Sequence, residues 1–547
     1  MKHRSIFSAI LVVLSMTISC AQDPATLYTK AMTAYQQKDY TNAAASFTQA
    51  FSLSGYRLQS NQLYDGACIY SLNGNFDEAL LILHYLADNR FYSNYDHLSR
   101  DTDLEKMHDL PGWKPLLEKV IENKRTLPAR TRARVRTELL KAKRLLIADN
   151  GQLWGEVIWT DNFLVLDPEN NLYSIHPFPG GTASDSSLYT AKAPPNTLSQ
   201  TNSVQPYNGK DYAIVTTSYL ADSSATIIHE MFHVLQYSKV KLSGDAIPYL
   251  DNYDARQWLR LEYAALKNAL QASREKRSLK LIRQMLEDAL RYRKLRQSAY
   301  LSFLDKEIQI ETLEGMANYT GYRLSSFPDK YERAIHEINE RELAATYTRP
   351  FPYATGLAYG ILFDHLGLKW KTGLDHTYNF LDIYEKIAGK IDTAGRLVAA
   401  SNKRSNYAGI HRQELNRKEE NEKRIRYYTD MLINQPTLTV KLVNDTFSCS
   451  FNMNGTMTLE DKGTVYSRIK GEDRSGKNFG SFSTIDGKDT LGYAGILGAA
   501  DRRKFVFPLP ISIEGDIIKG EFYEIKLSDG WRVRKMNEKG DMEVVRE

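Results

Sequence analysis

The spacing of apolar and polar positions divides the chain into three parts. Over residues 23–124, apolar residues recur at the spacing of amphipathic helices. Short strand-like runs followed by long helical stretches occupy 125–435, and apolar and polar positions alternate in twos over 436–547, as in the segment 437–443. The pattern predicts a multidomain protein with an α-helical N-terminal region, an α+β domain and a C-terminal all-β domain.

The N-terminal region contains an internal repeat. Ala31 and Ala43 are spaced as Ala67 and Ala79 are, with a period of 36 residues. The segment 75–80, Asn-Phe-Asp-Glu-Ala-Leu, resembles the second-helix start of the tetratricopeptide family, whose period is close to this one. The resemblance implies stacked helical hairpins that also pack on the helices after them. Such a region is either a groove for a peptide or protein partner or a structural cap, and both interpretations stay open.

The middle part begins with predicted strands. Apolar, β-branched and aromatic residues predict strands at 154–159, 163–166 and 172–175. The Gly-, Ser- and Pro-rich stretch 177–208 predicts a loop, and 211–218 predicts a further strand directly before a helix.

That helix, from Asp222 to Tyr237, carries the clearest chemistry in the chain. It is predicted from apolar residues at helical spacing, namely Ile227, Ile228, Met231, Phe232, Val234 and Leu235. His229 and His233 stand four residues apart and therefore project from one face, where two imidazoles can bind one tetrahedral Zn²⁺. Glu230 follows the first histidine, as a general base does in His-Glu-x-x-His zinc sites. The alternative is a pair of core histidines bonded to backbone.

A third protein ligand must come from elsewhere in the fold. Glu314 is the best candidate, because Ile310, Leu313, Ala317 and Gly321 fall on the same helical face and would bury its carboxylate. A metal ion would compensate that buried charge.

With the two histidines, the segment 314–319, Glu-Gly-Met-Ala-Asn-Tyr, resembles the gluzincin clan of zinc metallopeptidases, whose third ligand is the Glu of Glu-Gly-x-Ala-x-Tyr. Residues 353–356, Tyr-Ala-Thr-Gly, resemble the clan's Tyr-x-x-Gly element. The resemblance covers about residues 211–370. It implies a gluzincin-like (zincin) catalytic domain in which the strand before the zinc helix forms a sheet edge for an extended substrate.

The resemblance also implies a role for each residue. His229, His233 and Glu314 would hold Zn²⁺ with water in the fourth position. Glu230 would deprotonate that water, and the hydroxyl of Tyr353 would stabilise the oxyanion of the tetrahedral intermediate. For Tyr353 the alternative is a half-buried side chain with its hydroxyl in water.

The chain departs from the clan's aminopeptidases in two ways. Glu314 lies 81 positions after His233, and the interval contains an insert, 255–304, that predicts a hairpin of two charged helices bulging outward. No Gly-x-Met-Glu-Asn segment precedes the zinc helix, so an aminopeptidase specificity is unsupported. Glu262, on an apolar stripe within the insert, is a rival third ligand, with pairing to an arginine of another helix as its alternative.

Composition and charge narrow the function further. The chain has 547 residues, 42% apolar and 25% charged, which is typical of soluble globular domains. A net charge of +5, scattered among acidic residues, does not favour nucleic acid as a partner.

The first 21 residues predict an export signal. Lys2, His3 and Arg4 precede an apolar run that ends at Ile18. Cys20 and the residues before it also resemble a bacterial lipoprotein signal, although Thr17 replaces the usual Leu. We therefore expect a periplasmic or cell-surface protein whose only membrane contact is a lipid at Cys20, and no disulfide framework.

The sequence as a whole favours an exported zinc metallopeptidase that acts on peptides or proteins. The domains are 1–21 signal, 23–124 helical repeats, 125–435 catalytic and 436–547 β-rich. A non-catalytic scaffold or binding protein with a structural or vestigial zinc site is the competing hypothesis. Glu230 argues against it, because a structural site would have a fourth protein ligand in place of a general base.

Overall fold

The computed structural model describes residues 24–185, 187–194, 197–220, 224–344, 346–443, 447–451, 456–459, 461–473, 477–485, 494–499 and 503–547. The chain divides into two compact units, Met1–Thr137 and Glu138–Glu547. The predicted export signal with Cys20 and the predicted helix start at Asp222 lie outside the described residues. Within the described part of the chain, no helix combines the length and apolar character needed to cross a bilayer.

The first unit is helical. Its helices are α1 (Pro24–Gln36), α2 (Tyr40–Ser54), α3 (Ser60–Asn73), α4 (Phe76–Asn89), α5 (Tyr95–Arg100) and the start of α6 (Trp113–Asp149), which continues past the boundary. The four repeat alanines, Ala31, Ala43, Ala67 and Ala79, are all fully buried in one core. Trp113 of α6 belongs to the same core, so the helical hairpins pack on the helix that follows them, as predicted.

The second unit opens with a six-stranded sheet. Its strands are β1 (Phe163–Leu166), β2 (Asn171–Ser174), β3 (Thr182–Asp185), β4 (Leu188–Lys192), β5 (Ser203–Tyr207) and β6 (Lys210–Thr216), in the order β3-β4-β2-β1-β6-β5. β6 pairs parallel with β1 and antiparallel with β5.

Three expectations for residues 154–218 are wrong: a strand, a loop and the edge position of a strand. Residues 154–159 form turns and irregular backbone, because Trp154 is buried against Phe232 with ring centroids 5.7 Å apart. The predicted loop 177–208 contributes β3, β4 and β5, whose polar composition suits strands near a sheet edge. The strand before the helix that carries both histidines, β6, is internal, and β5 with its Pro206 is the edge instead.

Helices form the rest of the domain. They are α7 (Ser224–Lys239), α8 (Tyr253–Arg274), α9 (Leu279–Ala299), α10 (Leu304–Ile310), a π-helical turn (Glu311–Gly315), α11 (Met316–Leu324), α12 (Lys330–Glu342), α13 (Phe351–His365), α14 (Phe380–Ala388), α15 (Gly395–Arg404), α16 (Tyr407–Thr429) and a second π-helical turn (Asp430–Asn434). The insert 255–304 forms the predicted hairpin, α8 and α9. It does not bulge outward: Glu262 and Arg293 are fully buried, because their charges compensate each other inside the domain.

The C-terminal part is all β, as predicted. Its strands are β7 (Thr437–Lys441), β8 (Phe447–Phe451), β9 (Thr456–Leu459), β10 (Gly463–Tyr466), β11 (Ile469–Asp473), β12 (Gly480–Thr484), β13 (Ile496–Ala499), β14 (Lys504–Pro508), β15 (Ser512–Glu514), β16 (Ile517–Lys519), β17 (Tyr523–Leu527), β18 (Trp531–Lys535) and β19 (Met542–Arg546). Two sheets have the orders β18-β19-β7-β14-β13-β10-β9 and β15-β16-β17-β12-β11-β8. Leu438, Phe507 and Ile525 contribute to a core shared by both sheets.

Candidate metal centre

Helix α7 brings both histidines to one buried position. His229 and His233 lie one turn apart, and their Nε2 atoms are 3.0 Å from each other. The helix packs closely on α11, because a Cβ built on Gly321 would lie only 2.5 Å from the carbonyl oxygen of Ala225. The imidazoles therefore face the helix that follows Glu314 in the chain.

Glu314 completes a triangle with the two imidazoles. Its Oε2 lies 3.5 Å from His229 Nε2 and 3.6 Å from His233 Nε2. An ion held tetrahedrally at about 2.0–2.1 Å requires ligand atoms about 3.3 Å apart. The three observed separations therefore fit a zinc-sized tetrahedral site, although 81 positions separate the last histidine from the carboxylate.

Gln236 determines which nitrogen of His233 faces this site. The Gln236 Nε2 donates to the carbonyl oxygen of Thr312 over 2.8 Å, so its Oε1 is the atom 2.9 Å from His233 Nδ1. Because a carboxamide oxygen only accepts, Nδ1 carries a proton, and Nε2 is the nitrogen that faces Glu314 and would bind a metal ion. The sequence patterns above did not identify Gln236 as a site residue. A polar side chain within an apolar helical run, three residues after a ligand, was the available signal.

Glu230 lies beside the triad formed by His229, His233 and Glu314, and it is almost completely buried. Its Oε1 is 4.0 Å from His229 Nε2, and its Oε2 has no hydrogen-bond partner. Burial raises the pKa of the Glu230 carboxyl above its ordinary value, which the neighbouring histidines only partly oppose. An unpartnered buried carboxylate oxygen next to a set of metal-ligating side chains is the second feature that fits a bound cation and its water.

The charges of the triad are mutually dependent. Burial alone would raise the pKa of Glu314, but the adjacent imidazoles of His229 and His233 hold it far below the ordinary value. For His233, burial opposes the charged form, but the interactions with Glu314, Glu230 and Gln236 together outweigh burial and raise the pKa. Glu314 is therefore an anion in the folded protein, as a metal ligand must be.

Tyr353, at the start of α13, lies against the same site. Its ring is parallel to that of His229, with centroids 5.9 Å apart. Burial, together with the charge of Glu314 and a hydrogen bond to it, raises the pKa of the phenol, so the hydroxyl keeps its proton. Asn318 Nδ2 donates to the Tyr353 carbonyl oxygen over 2.7 Å and holds α13 against α11. Tyr353 as a residue is only half-buried, so the alternative of a half-buried tyrosine stays open beside the oxyanion role.

Glu262 is far too well paired to serve as the third ligand. Its Oε1 accepts from Arg293 Nε at 2.8 Å and from the Tyr359 hydroxyl at 2.9 Å. Its Oε2 accepts from Arg296 at 3.0 Å. The alternative of a glutamate paired with arginines of another helix is the one observed, and Glu314 is the acid beside the histidines.

A second group of potential ligands lies in the first unit. Asp101 accepts from the Tyr64 hydroxyl at 3.0 Å and from Cys68 Sγ at 3.7 Å, and Asp103 accepts from Tyr35. Burial and the charge of Asp101 raise the pKa of the Cys68 thiol. A protonated thiol among satisfied carboxylates is a hydrogen-bonded cluster and lacks the thiolate that a metal needs.

In comparisons with known proteins, no protein-family model, no curated protein and no solved structure matches this chain.

Proposed function

We propose that the protein is a zinc-dependent metallopeptidase with a gluzincin-like catalytic domain. The observation that carries the proposal is the convergence of His229, His233 and Glu314 on one point beside the buried, unpartnered carboxylate of Glu230. Two histidines from one helix and one glutamate from another segment are typical of catalytic zinc sites, and no fourth protein ligand joins them among the residues that the structure describes. A structural zinc site requires no general base, so it would not explain the position of Glu230.

Each residue would have a defined task. When bound, Zn²⁺ supplies a Lewis acid that acidifies water and polarises a carbonyl. Glu230 accepts the proton that water loses as its oxygen attacks the scissile carbonyl carbon, and then donates it to the amine nitrogen as the C–N bond breaks. The raised pKa of Glu230 suits a group that must hold a proton between these two events.

Tyr353 would donate its hydroxyl hydrogen bond to the developing oxyanion. The phenol is protonated and already adjacent to Glu314, so little reorganisation is needed. The free edge of β5, next to α7 in the fold, is suited to bind an extended peptide as an additional strand.

The remaining predictions belong to the same proposal. The helical hairpins α1–α2 and α3–α4 would be tetratricopeptide-like repeats that offer a surface for a protein partner, and the N-terminal pattern would export the protein to the periplasm or cell surface. Peptides or proteins would be the substrates.

The deciding experiment measures hydrolysis and metal content together. The purified chain should hydrolyse a mixed peptide library, lose this activity with a chelator and regain it with zinc. Glu230→Gln should bind zinc as the wild type does but hydrolyse peptides about 10²–10⁴-fold more slowly, because it removes the general base alone. Full activity of Glu230→Gln would overturn the assignment, and zinc binding by an inactive wild type would favour the scaffold hypothesis.

A further inference from the structure

A buried ionic network connects the insert hairpin to the segment that carries Glu314. Arg293 of α9 is completely buried; it donates from Nε to Glu262 at 2.8 Å and forms a two-pronged pair with Glu311 at 2.6 and 2.7 Å. Arg296, one turn later, donates to Glu262 at 3.0 Å and to Glu307 at 2.7 Å. Three carboxylates and two guanidinium groups are thus enclosed in the domain.

The network reaches the π-helical turn Glu311–Gly315, whose first residue, Glu311, has the carboxylate that Arg293 binds. That carboxylate also accepts from the Thr355 hydroxyl at 2.5 Å, which ties the turn to α13 two residues after Tyr353. The carbonyl oxygen of the next residue, Thr312, accepts a hydrogen bond from Gln236 Nε2 of α7. The turn is therefore anchored separately to α9, α13 and α7, and Glu314 is its fourth residue.

Stability alone is a poor explanation for this arrangement. Enclosed ion pairs lose so much hydration that apolar side chains of similar size often stabilise a fold as well or better. What the network does provide is a single geometry for its three carboxylates, since each of their oxygens has a defined donor. A π-helical turn is an unusual backbone state that recurs at functional sites.

From this geometry we infer that Arg293 is a positioning residue for the third metal ligand. It acts through Glu311, whose carboxylate it orients, and so sets the π-helical turn that aims Glu314 at His229 and His233. The insert hairpin α8–α9 then helps to orient a ligand of the metal site. This inference rests on the proposed function, because it requires zinc at the triad.

The test compares zinc affinity between two lysine variants of the same helix. Arg293→Lys keeps the positive charge but loses the two-pronged pair with Glu311. Zinc affinity, measured by competition with a chelator of known affinity, should fall about 10-fold, as is usual when a group that orients a ligand is altered. The absorption spectrum of the Co²⁺-substituted protein should also change, because the ligand geometry relaxes.

Arg291→Lys is the matched control. Arg291 is also buried on α9 and ion-paired, but its partners are Asp288 at 2.9 Å, the carbonyl oxygen of Asp392 at 2.7 Å and Ser401 at 2.8 Å, none of them in the π-helical turn. This variant should lose thermal stability to a similar extent while keeping the zinc affinity and Co²⁺ spectrum of the wild type.

Thr355→Val provides a milder second variant in case Arg293→Lys does not fold. It removes one hydroxyl donor from Glu311 with almost no change of shape, and it should lower zinc affinity in the same direction. Wild-type zinc affinity in both Arg293→Lys and Thr355→Val would overturn the inference and leave the proposed function intact. A wild type that binds no zinc at the triad would overturn both.

Discussion

Gly315 and Gly356 touch where the π-helical turn crosses α13. A Cβ built on Gly356 would lie 2.3 Å from Gly315 Cα and 2.6 Å from its carbonyl oxygen, so α13 could not come this close to the turn with any larger residue at position 356. Glu314 precedes the first of these glycines and Tyr353 lies three residues before the second. The contact therefore sets the distance between the third candidate ligand and the candidate oxyanion donor.

Gly356→Ala should separate the two helices. Because the new methyl group would meet rigid backbone, we expect a loss of about 1–3 kcal/mol in the free energy of unfolding and a weaker zinc site. Urea denaturation and zinc competition measure the two effects. Gly395→Ala is the control: Gly395 begins α15 with no atom near its Cβ position, so that variant should be unchanged or slightly more stable. Equal behaviour of the two variants would refute the packing argument.

Gln236→Leu should weaken zinc binding although it replaces none of the three proposed ligands. The variant frees the ring of His233 to adopt the other tautomer and leaves the Thr312 carbonyl oxygen unpaired, so we expect zinc affinity to fall about 10–100-fold. Nitrogen-15 NMR of the imidazole reports the tautomer directly. Ser238→Ala, a change at an exposed position of the same helix, should have wild-type affinity. If Gln236→Leu also retains it, Gln236 does not orient His233.

Tyr353→Phe should lower kcat and leave KM almost unchanged. The phenol would act only on the charge that develops in the transition state, and the loss of one such donor costs about 10²–10³ in rate. Steady-state kinetics on a cleaved peptide separate the two constants. Tyr237, whose ring lies 6.0 Å from that of His233, is the comparison. If Tyr237→Phe shows the larger loss, the role belongs to that residue.

Glu385 should make stability depend on acid pH. Burial opposes its charge, but hydrogen bonds from Lys294, Lys390 and the Ile391 amide outweigh this and lower the pKa from 4.5 to about 2. Because the folded-state pKa is the lower one, this stabilisation is complete above about pH 5 and is lost as the pH falls toward about 2.

The stability difference between wild type and Glu385→Gln should accordingly be largest near neutral pH and disappear below about pH 2, as thermal denaturation across this range would show. Glu422→Gln, which removes a surface carboxylate 3.9 Å from Lys418, should differ little from the wild type at neutral pH. A Glu385→Gln difference that grows on acidification would contradict the pKa direction.

Local patterns in the sequence were sufficient for several features of this protein. Helical spacing located α7 and the α8–α9 hairpin, and the alternation in twos located the C-terminal sheets. Spacing alone also put His229 and His233 on one face, because four residues make about one helical turn.

Other features depended on contacts between distant parts of the chain. A buried tryptophan kept 154–159 out of the sheet, and the pairing of β5 with β6 made a strand from residues that resemble a loop. Which of two acids faces the histidines was decided by Arg293 and Arg296, since they already occupy both oxygens of Glu262. Helix periodicity is a property of neighbours along the chain, whereas the partner of a buried charge is known only once the helices have packed.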